Sequence, residues 1–187
     1  FLAAPLISGG HLSVTGWPES TSQVGELVPE LLHHFGAHVS LDDGVMTIDG
    51  GVGLAGGSVL PGVDLDLSHA GELAPTLVTL AALSSGPSTF RGIGHLRGHE
   101  TDRLAALVAN ITALGGSATE TEDGITVTPA ELHAGEWKSY DDHRMATSGA
   151  LVGLAVEGVT LDDMACTSKT LPEFPKLWES LLTSPSA

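Results

Sequence analysis

The chain has few of the features that assign a sequence to several common protein classes. It contains a single cysteine, Cys166, in 187 residues, so no disulfide can form within it. This use of cysteine is typical of a reducing compartment. No apolar run approaches the roughly 18 residues of a membrane-spanning helix. The opening segment carries no positive charge and therefore does not resemble a secretory leader. We expect a folded cytoplasmic protein.

Basic residues are also scarce. Lys and Arg total 7 against 23 Asp and Glu, a formal net charge of −16, which makes nucleic acid or an anionic membrane an unfavourable partner. The basic residues lie in three short stretches, and they are Arg91, Arg97, Arg103, Lys138, Arg144, Lys169 and Lys176. In so acidic a chain they either relieve neighbouring carboxylates or form a local binding site for a small anion.

The sequence contains a threefold repeat. Three segments are too uniformly apolar to form surface helices, at residues 1–7, 73–83 and 145–156. Each is followed by glycine and a short strand-like stretch, and these glycines recur about every 75 residues, a period long enough for a unit of several elements. Because helices that are apolar on all sides are buried, we predict that these three lie at the centre of the fold.

Each unit also contains an amphipathic helix, and two units end in a hairpin. The apolar spacing predicts helices that begin near Val24, after Thr101 as N-cap, and near Phe174. Hairpins are predicted to turn at the Asp-Gly pairs of residues 43–44 and 123–124. The prediction is an α/β domain of pseudo-threefold symmetry with buried helices inside and half-polar sheets outside. Because the third unit lacks a hairpin and the first apolar segment starts without Met, we expect a fragment.

Helix N-termini of equivalent elements would lie at one end of such a domain, where unpaired N–H groups and helix dipoles favour anions. The residues expected there are Glu72, Glu100, Arg103, Asp142, His143, Arg144 and Lys169. Carboxylates together with cations and a histidine suit acid/base chemistry on a phosphate or carboxylate ligand. The alternative for Glu100 and Arg103 is an ordinary ion pair within one helix.

Metal and covalent chemistry have less support in the sequence. His95 and His99 have i, i+4 spacing, but zinc needs three or four convergent ligands, and this segment is predicted to be a loop ahead of a helix. The glycine-rich run at residues 50–57 lacks the Lys and Ser/Thr of a phosphate-binding loop and is interpreted as a connector. Cys166 has no motif around it and is interpreted as structural. The residues therefore give little support to a metal site.

Three segments resemble motifs of the 5-enolpyruvylshikimate-3-phosphate synthase family. They are residues 96–104 (LRGHETDRL), 140–146 (YDDHRMA) and 166–172 (CTSKTLP). Their order and spacing agree with the family over essentially the whole chain. The resemblance implies transfer of the enolpyruvyl group of phosphoenolpyruvate to the 5-hydroxyl of shikimate 3-phosphate, with release of phosphate. It also implies a place in the shikimate pathway, which is the target of glyphosate, and a need for neither metal nor organic cofactor.

The resemblance implies two acid/base residues. Glu72 stands where the family usually has an Asp that meets the reacting hydroxyl, and it is the implied proton acceptor. Glu100 corresponds to the acid/base residue near the methylene carbon of phosphoenolpyruvate. His95 and His99 stand where Asn and Lys commonly contact shikimate 3-phosphate. The replacement of Lys by His99 makes that contact dependent on pH.

The resemblance also implies the anion site. Arg103, Arg144 and Lys169 correspond to the cations that hold the carboxylate and phosphate of phosphoenolpyruvate, and His143 and Asp142 would support them. These groups form only part of the family's site, because the remaining cations belong to a second domain.

The resemblance implies that residues 1–187 form the C-terminal domain of a two-domain, monomeric enzyme built from repeated βαβαββ units. The N-terminal domain and an N-terminal hairpin would complete it, and the chain alone is expected to have no turnover. Two alternatives remain open. One is a UDP-N-acetylglucosamine enolpyruvyl transferase domain, and the other is a non-catalytic module that only pairs with its other half.

Overall fold

The structure is a computed structural model that describes residues 1–183, so residues 184–187 of the predicted domain lie outside the described residues. The helices are α1 (Ala4–Ser8), α2 (Val28–His34), α3 (Ala74–Ala82), α4 (Arg103–Ala113), α5 (His143–Ala155) and α6 (Phe174–Thr183). The strands are β1 (His11–Thr15), β2 (His38–Asp42), β3 (Val45–Asp49), β4 (Asp64–Asp66), β5 (Ser88–Arg91), β6 (Ser117–Glu120), β7 (Ile125–Thr128), β8 (Gly135–Trp137) and β9 (Val159–Leu161).

The elements follow one another as three repeated units, each with its own sheet. The middle unit has the full order β4-α3-β5-α4-β6-β7, and its four strands form a mixed sheet in which β4 pairs with β5 in parallel. The first unit, α1-β1-α2-β2-β3, forms an antiparallel sheet of order β1-β3-β2. The third, β8-α5-β9-α6, pairs β8 with β9 in parallel. The predicted βαβαββ repeat is confirmed.

The helices that are apolar on all sides occupy the centre, as predicted. Helix α5 packs against both α1 and α3, and nearly every residue of α3 is buried. The four-stranded sheet turns one face toward α3, as shown by the alternating burial of Phe90 on β5 and of Ile125 and Val127 on β7. This arrangement removes the apolar faces of both element types from water, which is the dominant favourable term in folding.

The two predicted hairpins are confirmed. Strands β2 and β3 pair with Asp42 opposite Val45, so a two-residue turn of Asp43 and Gly44 connects them. Both turn residues have positive φ, at 48° and 74°, which is the conformation that a tight hairpin requires and that Asp-Gly favours. The second hairpin joins β6 to β7 around residues 123–124, and the glycine-rich residues 51–57 form successive turns.

Two local predictions were wrong. The N-cap of α4 is Asp102, not Thr101, because the Asp102 carboxylate accepts a hydrogen bond from the Ala105 N–H at 3.1 Å. Residues Gly94–Gly98 form a 3₁₀ turn rather than a loop, and the buried side chain of Leu96 anchors that turn in the core. No helix among residues 1–183 is long and apolar enough to cross a membrane.

Candidate active site

The N-terminal ends of α3, α4 and α5 meet at one end of the domain and bring the predicted charged residues together. Glu72 lies in the 3₁₀ turn that leads into α3, and Arg103 is the first residue of α4. Asp142 caps α5 through its side chain, which accepts a hydrogen bond from the backbone N–H of Arg144 at 2.8 Å. Each residue is therefore held by the start of a helix packed in the core.

A buried ion pair between Arg103 and Asp142 forms the base of the site. Arg103 Nε donates to Asp142 Oδ2 at 2.7 Å, and the two side chains are 2% and 0% exposed. Burial raises the pKa of Asp142, but the hydrogen bonds from the Arg103 guanidinium and the Arg144 N–H outweigh it, so that the pKa lies below its usual range. Asp142 is therefore ionised at neutral pH and locks the starts of α4 and α5 together.

Glu72 faces three nitrogen atoms of the site. Its Oε2 lies 2.5 Å from Arg144 Nε and 3.4 Å from Arg103 Nη1, while its Oε1 lies 3.5 Å from His99 Nδ1. The contact with Arg144 is an ion pair by distance, but its angle is not that of a hydrogen bond. The carboxylate is 37% exposed, so solvent and ligands can reach it.

Glu100 precedes α4 and lies beside the start of α5. Its Oε2 is 3.4 Å from His143 Nδ1, an ion-pair separation when His143 is protonated. Arg103 pairs with Asp142 and Glu72 instead. The interpretation of Glu100 and Arg103 as a pair within one helix is therefore wrong.

Lys169 lies at the rim of the site, at the end of the 3₁₀ turn Ala165–Lys169. Its Nζ donates to the backbone oxygen of Asp141 at 2.6 Å and lies 3.1 Å from Asp141 Oδ2. The backbone of Tyr140 and Asp141 is left-handed, with φ of 54° and 57°, a conformation that non-glycine residues adopt rarely. The hydrogen bond with Asp141 raises the pKa of Lys169, and the charge of Glu100 adds to this.

The two histidines predicted to meet the acceptor substrate lie on the same side as Glu72. Their rings are 5.9 Å apart, and His99 Nδ1 lies 3.4 Å from Arg103 Nη1. His95 packs so closely over Gly71 that a Cβ atom there would lie 2.6 Å from His95 Nε2. Glycine at this position therefore allows the histidine to lie against the turn that carries Glu72.

The arrangement fits an anion better than a metal ion. Ligand atoms of Glu100, Asp142 and His143 lie within 4.8 Å of one another, the one such group among residues 1–183. Both Asp142 oxygens already accept hydrogen bonds from Arg103, and that guanidinium would repel a cation. Within the described part of the chain, His95 and His99 find no third ligand.

The buried thiol of Cys166 donates a hydrogen bond to the backbone oxygen of Asp163, and burial raises the pKa of this thiol.

A cavity of about 440 Å³ next to the site was not predicted from the sequence. His143 and Arg144 line it together with four aromatic side chains. These aromatic residues are Phe1, Trp17, Phe174 and Trp178. They come from distant parts of the chain, so no local pattern indicates that they share a cavity.

Comparison with known proteins agrees with the resemblance in the motifs. The family described as "EPSP synthase (3-phosphoshikimate 1-carboxyvinyltransferase)" matches residues 1–178. The 3-phosphoshikimate 1-carboxyvinyltransferase of Kocuria rhizophila is 54% identical over 184 residues, which are 98% of this chain and 40% of that protein. The chain thus spans about two fifths of the length of this curated relative.

Solved structures share the fold. An EPSP synthase from Acinetobacter baumannii superposes with a TM-score of 0.76 at 24% identity, covering 95% of this chain and 43% of that one. The enolpyruvyl transferase NikO from Streptomyces tendae gives a TM-score of 0.69 at 20% identity, covering 96% of this chain and 41% of that one. Together with the family match over nearly the whole chain, these findings show that the chain belongs to the EPSP synthase family.

Proposed function

We propose that this chain supplies one half of the active site of an enzyme that transfers the enolpyruvyl group of phosphoenolpyruvate to the 5-hydroxyl of shikimate 3-phosphate. The observation that carries the proposal is the ion network in which Glu72, Arg103 and Arg144 converge at three helix starts. Helix N-termini and guanidinium groups together favour a ligand that carries a carboxylate and a phosphate. We propose that the enzyme is a cytoplasmic transferase of the shikimate pathway and that glyphosate targets it.

In this proposal the cations bind and the carboxylates move protons. Arg103 and Arg144 hold the anionic groups of phosphoenolpyruvate, and Lys169 adds a third charge from the rim. Asp142 keeps Arg103 in position, and His143 supports Glu100. On the other side, His95 and His99 contact shikimate 3-phosphate. Neither a metal nor an organic cofactor takes part.

The reaction needs two acid/base groups on opposite sides of the new bond. The 5-hydroxyl oxygen forms a bond to the central carbon of the enolpyruvyl group, the bond from that carbon to the phosphate oxygen breaks, and phosphate leaves. Addition across the double bond also requires a proton to arrive at the methylene carbon and to leave again. We assign the hydroxyl proton to Glu72 and the methylene proton to Glu100, each within reach of a cation or histidine that can stabilise its charge.

The remaining part of the enzyme is the proposed partner of this chain. We propose that residues 1–187 are its C-terminal domain, and that an N-terminal domain and an N-terminal hairpin complete a monomeric enzyme. The chain covers 40% of its curated relative, which leaves room for such a domain. By itself the chain would lack half of the charge-neutralising groups and the closure that excludes water, so we expect no turnover from it.

A fusion protein tests the proposal. The N-terminal part of the Kocuria rhizophila protein is placed ahead of this chain, and phosphate release is measured with phosphoenolpyruvate and shikimate 3-phosphate together and separately. We expect release that needs both substrates and that falls about 100-fold or more in Glu100→Gln. Glu157→Gln is the matched control, because this exposed residue lies just beyond the other end of α5.

Other results would contradict the proposal and identify an alternative. A folded fusion that releases phosphate only with UDP-N-acetylglucosamine would make the chain a sugar-nucleotide transferase domain. A folded fusion that is silent with both acceptors would make it a module that only pairs with its other half.

A further inference from the structure

Glu72 makes the contacts that an anionic ligand of this site would need. Asp142 accepts hydrogen bonds from the Nε and Nη2 groups of Arg103, which leaves Nη1 to face Glu72 and His99. That Nη1 and the Nε of Arg144 both lie against one oxygen of Glu72, at 3.4 Å and 2.5 Å. One carboxylate of the chain therefore neutralises Arg144 and the one Arg103 nitrogen that Asp142 does not bind.

The same carboxylate would also be needed elsewhere during the proposed reaction. A proton acceptor must lie within hydrogen-bond reach of the hydroxyl from which it takes the proton, whereas Glu72 Oε2 is turned toward the two arginines. Its Oε1 lies 3.5 Å from His99, on the side where the acceptor substrate is proposed to bind. The side chain is partly exposed, so rotation away from the arginines does not require the core to open.

We propose that Glu72 is a built-in counter-ion that competes with the anionic substrate for Arg103 and Arg144. This inference rests on the proposed function, since it takes the two arginines as the anion site. Binding of phosphoenolpyruvate displaces the carboxylate, which then turns toward the hydroxyl that it deprotonates. The length of the side chain matters, because an Asp at this position is shorter by one methylene, and we expect it to fall short of the contacts that Glu72 Oε2 makes with the two arginines.

The test is an NMR titration of the 187-residue chain with phosphoenolpyruvate that follows the side-chain N–H signals of Arg103 and Arg144. Glu72→Asp keeps the charge and shortens the arm, and Glu72→Gln removes the charge. We expect both variants to bind about tenfold more tightly than the parent chain, which corresponds to about 1.4 kcal/mol. In Glu72→Asp the Arg144 Nε–H signal should also move before any ligand is added.

Two controls separate competition from a general charge effect. Glu100→Gln removes a neighbouring negative charge that does not contact either arginine, and Glu157→Gln removes a distant one. We expect the affinity of Glu157→Gln to stay within about twofold of the parent chain. Glu100→Gln removes a charge near Lys169, and we expect it to raise the affinity clearly less than either Glu72 variant, because Glu100 does not occupy the arginines.

Other outcomes of the titration would contradict the proposed competition. Equal affinity in the parent chain and both Glu72 variants would overturn the competition and leave the proposed function in place. Another outcome is that Glu100→Gln raises the affinity for phosphoenolpyruvate as much as Glu72→Gln does, while Glu72→Asp does not raise it. That outcome would indicate a general charge effect and would also overturn the competition. If phosphoenolpyruvate leaves the Arg103 and Arg144 signals of the parent chain and of every folded variant unshifted, these arginines are not its anion site and the competition is overturned, whereas the fusion assay decides the proposed function separately.

Discussion

Asp141 and Asp142 are neighbours in the chain, and each pairs with a basic residue from another element, yet the two pairs lie in opposite environments. Asp142 and Arg103 are 0% and 2% exposed, and they form the base of the site. Asp141 and Lys169 are 80% and 42% exposed, and they form its rim. The Asp142 carboxylate caps α5 and lies inside, whereas Asp141, with its left-handed backbone, lies outside.

The difference indicates what each pair does. A buried pair is costly to break, because removal of one partner strands the other charge in a medium of low dielectric constant. An exposed pair is screened by water and contributes little to stability, so it can separate at little cost. The base of the site therefore holds the helices in place, and the rim presents an exposed charge.

The largest effect is expected from Asp142→Asn. Asn still caps a helix, so the change mainly leaves the Arg103 guanidinium buried without its counter-ion. We expect the free energy of unfolding to fall by about 3–5 kcal/mol, measured by urea denaturation of the chain. Arg103→Met combined with Asp142→Asn should be more stable than Asp142→Asn alone, because it strands no charge. If Asp142→Asn lowers the free energy of unfolding no more than the control Glu157→Gln does, the role of the buried pair is contradicted.

The same pair predicts an acid-sensitive stability. The pKa of Asp142 is lower in the folded chain than in the unfolded one, so the folded state holds its proton less tightly. Its contribution is fully present above the ordinary carboxyl pKa near ~4 and is lost as the pH falls through the lower value of the folded chain. We expect the free energy of unfolding of the parent chain to fall more steeply below about pH 4 than that of Asp142→Asn. If the free energies of unfolding of the two proteins change with pH in parallel, this linkage is wrong.

The smallest effect is expected from Asp141→Asn at the rim. Asn tolerates the left-handed backbone, and the pair that it removes is exposed. We expect the urea midpoint to match that of the parent chain. The pKa of Lys169 should fall toward its ordinary value, because its hydrogen bond with the Asp141 carboxylate is lost, and NMR titration of Nζ measures this. A clear fall in the urea midpoint would show that base and rim do not differ as proposed.

The elements that short-range patterns encode were predicted well. Alternation and an Asp-Gly turn specify the β2–β3 hairpin locally, and the 3.6-residue spacing of apolar side chains specifies α4. The error at its N-cap is one residue, because Thr101 and Asp102 can both cap and only the backbone geometry chooses between them.

Strands β4 and β8 were missed for a physical reason. Each has only three residues, and each pairs in parallel with a strand that follows an intervening helix. Parallel partners are connected by long crossovers, so nothing within a short window of sequence indicates that Asp64–Asp66 or Gly135–Trp137 is a strand. The cavity beside Arg144 was missed for the same reason, since its lining residues are far apart in the chain.

The sequence by itself determined the repeat, the buried helices, the hairpins and the set of charged residues at the helix starts, because these depend on residue type and local spacing. Only the tertiary structure decided how those charges pair. Arg103 lies within three residues of both Glu100 and Asp102 in the chain. It nevertheless binds Asp142, 39 residues away, and faces Glu72. Burial and the packing of α3, α4 and α5 choose the partners, since the strength of a charge pair depends on the medium and on the position of each helix.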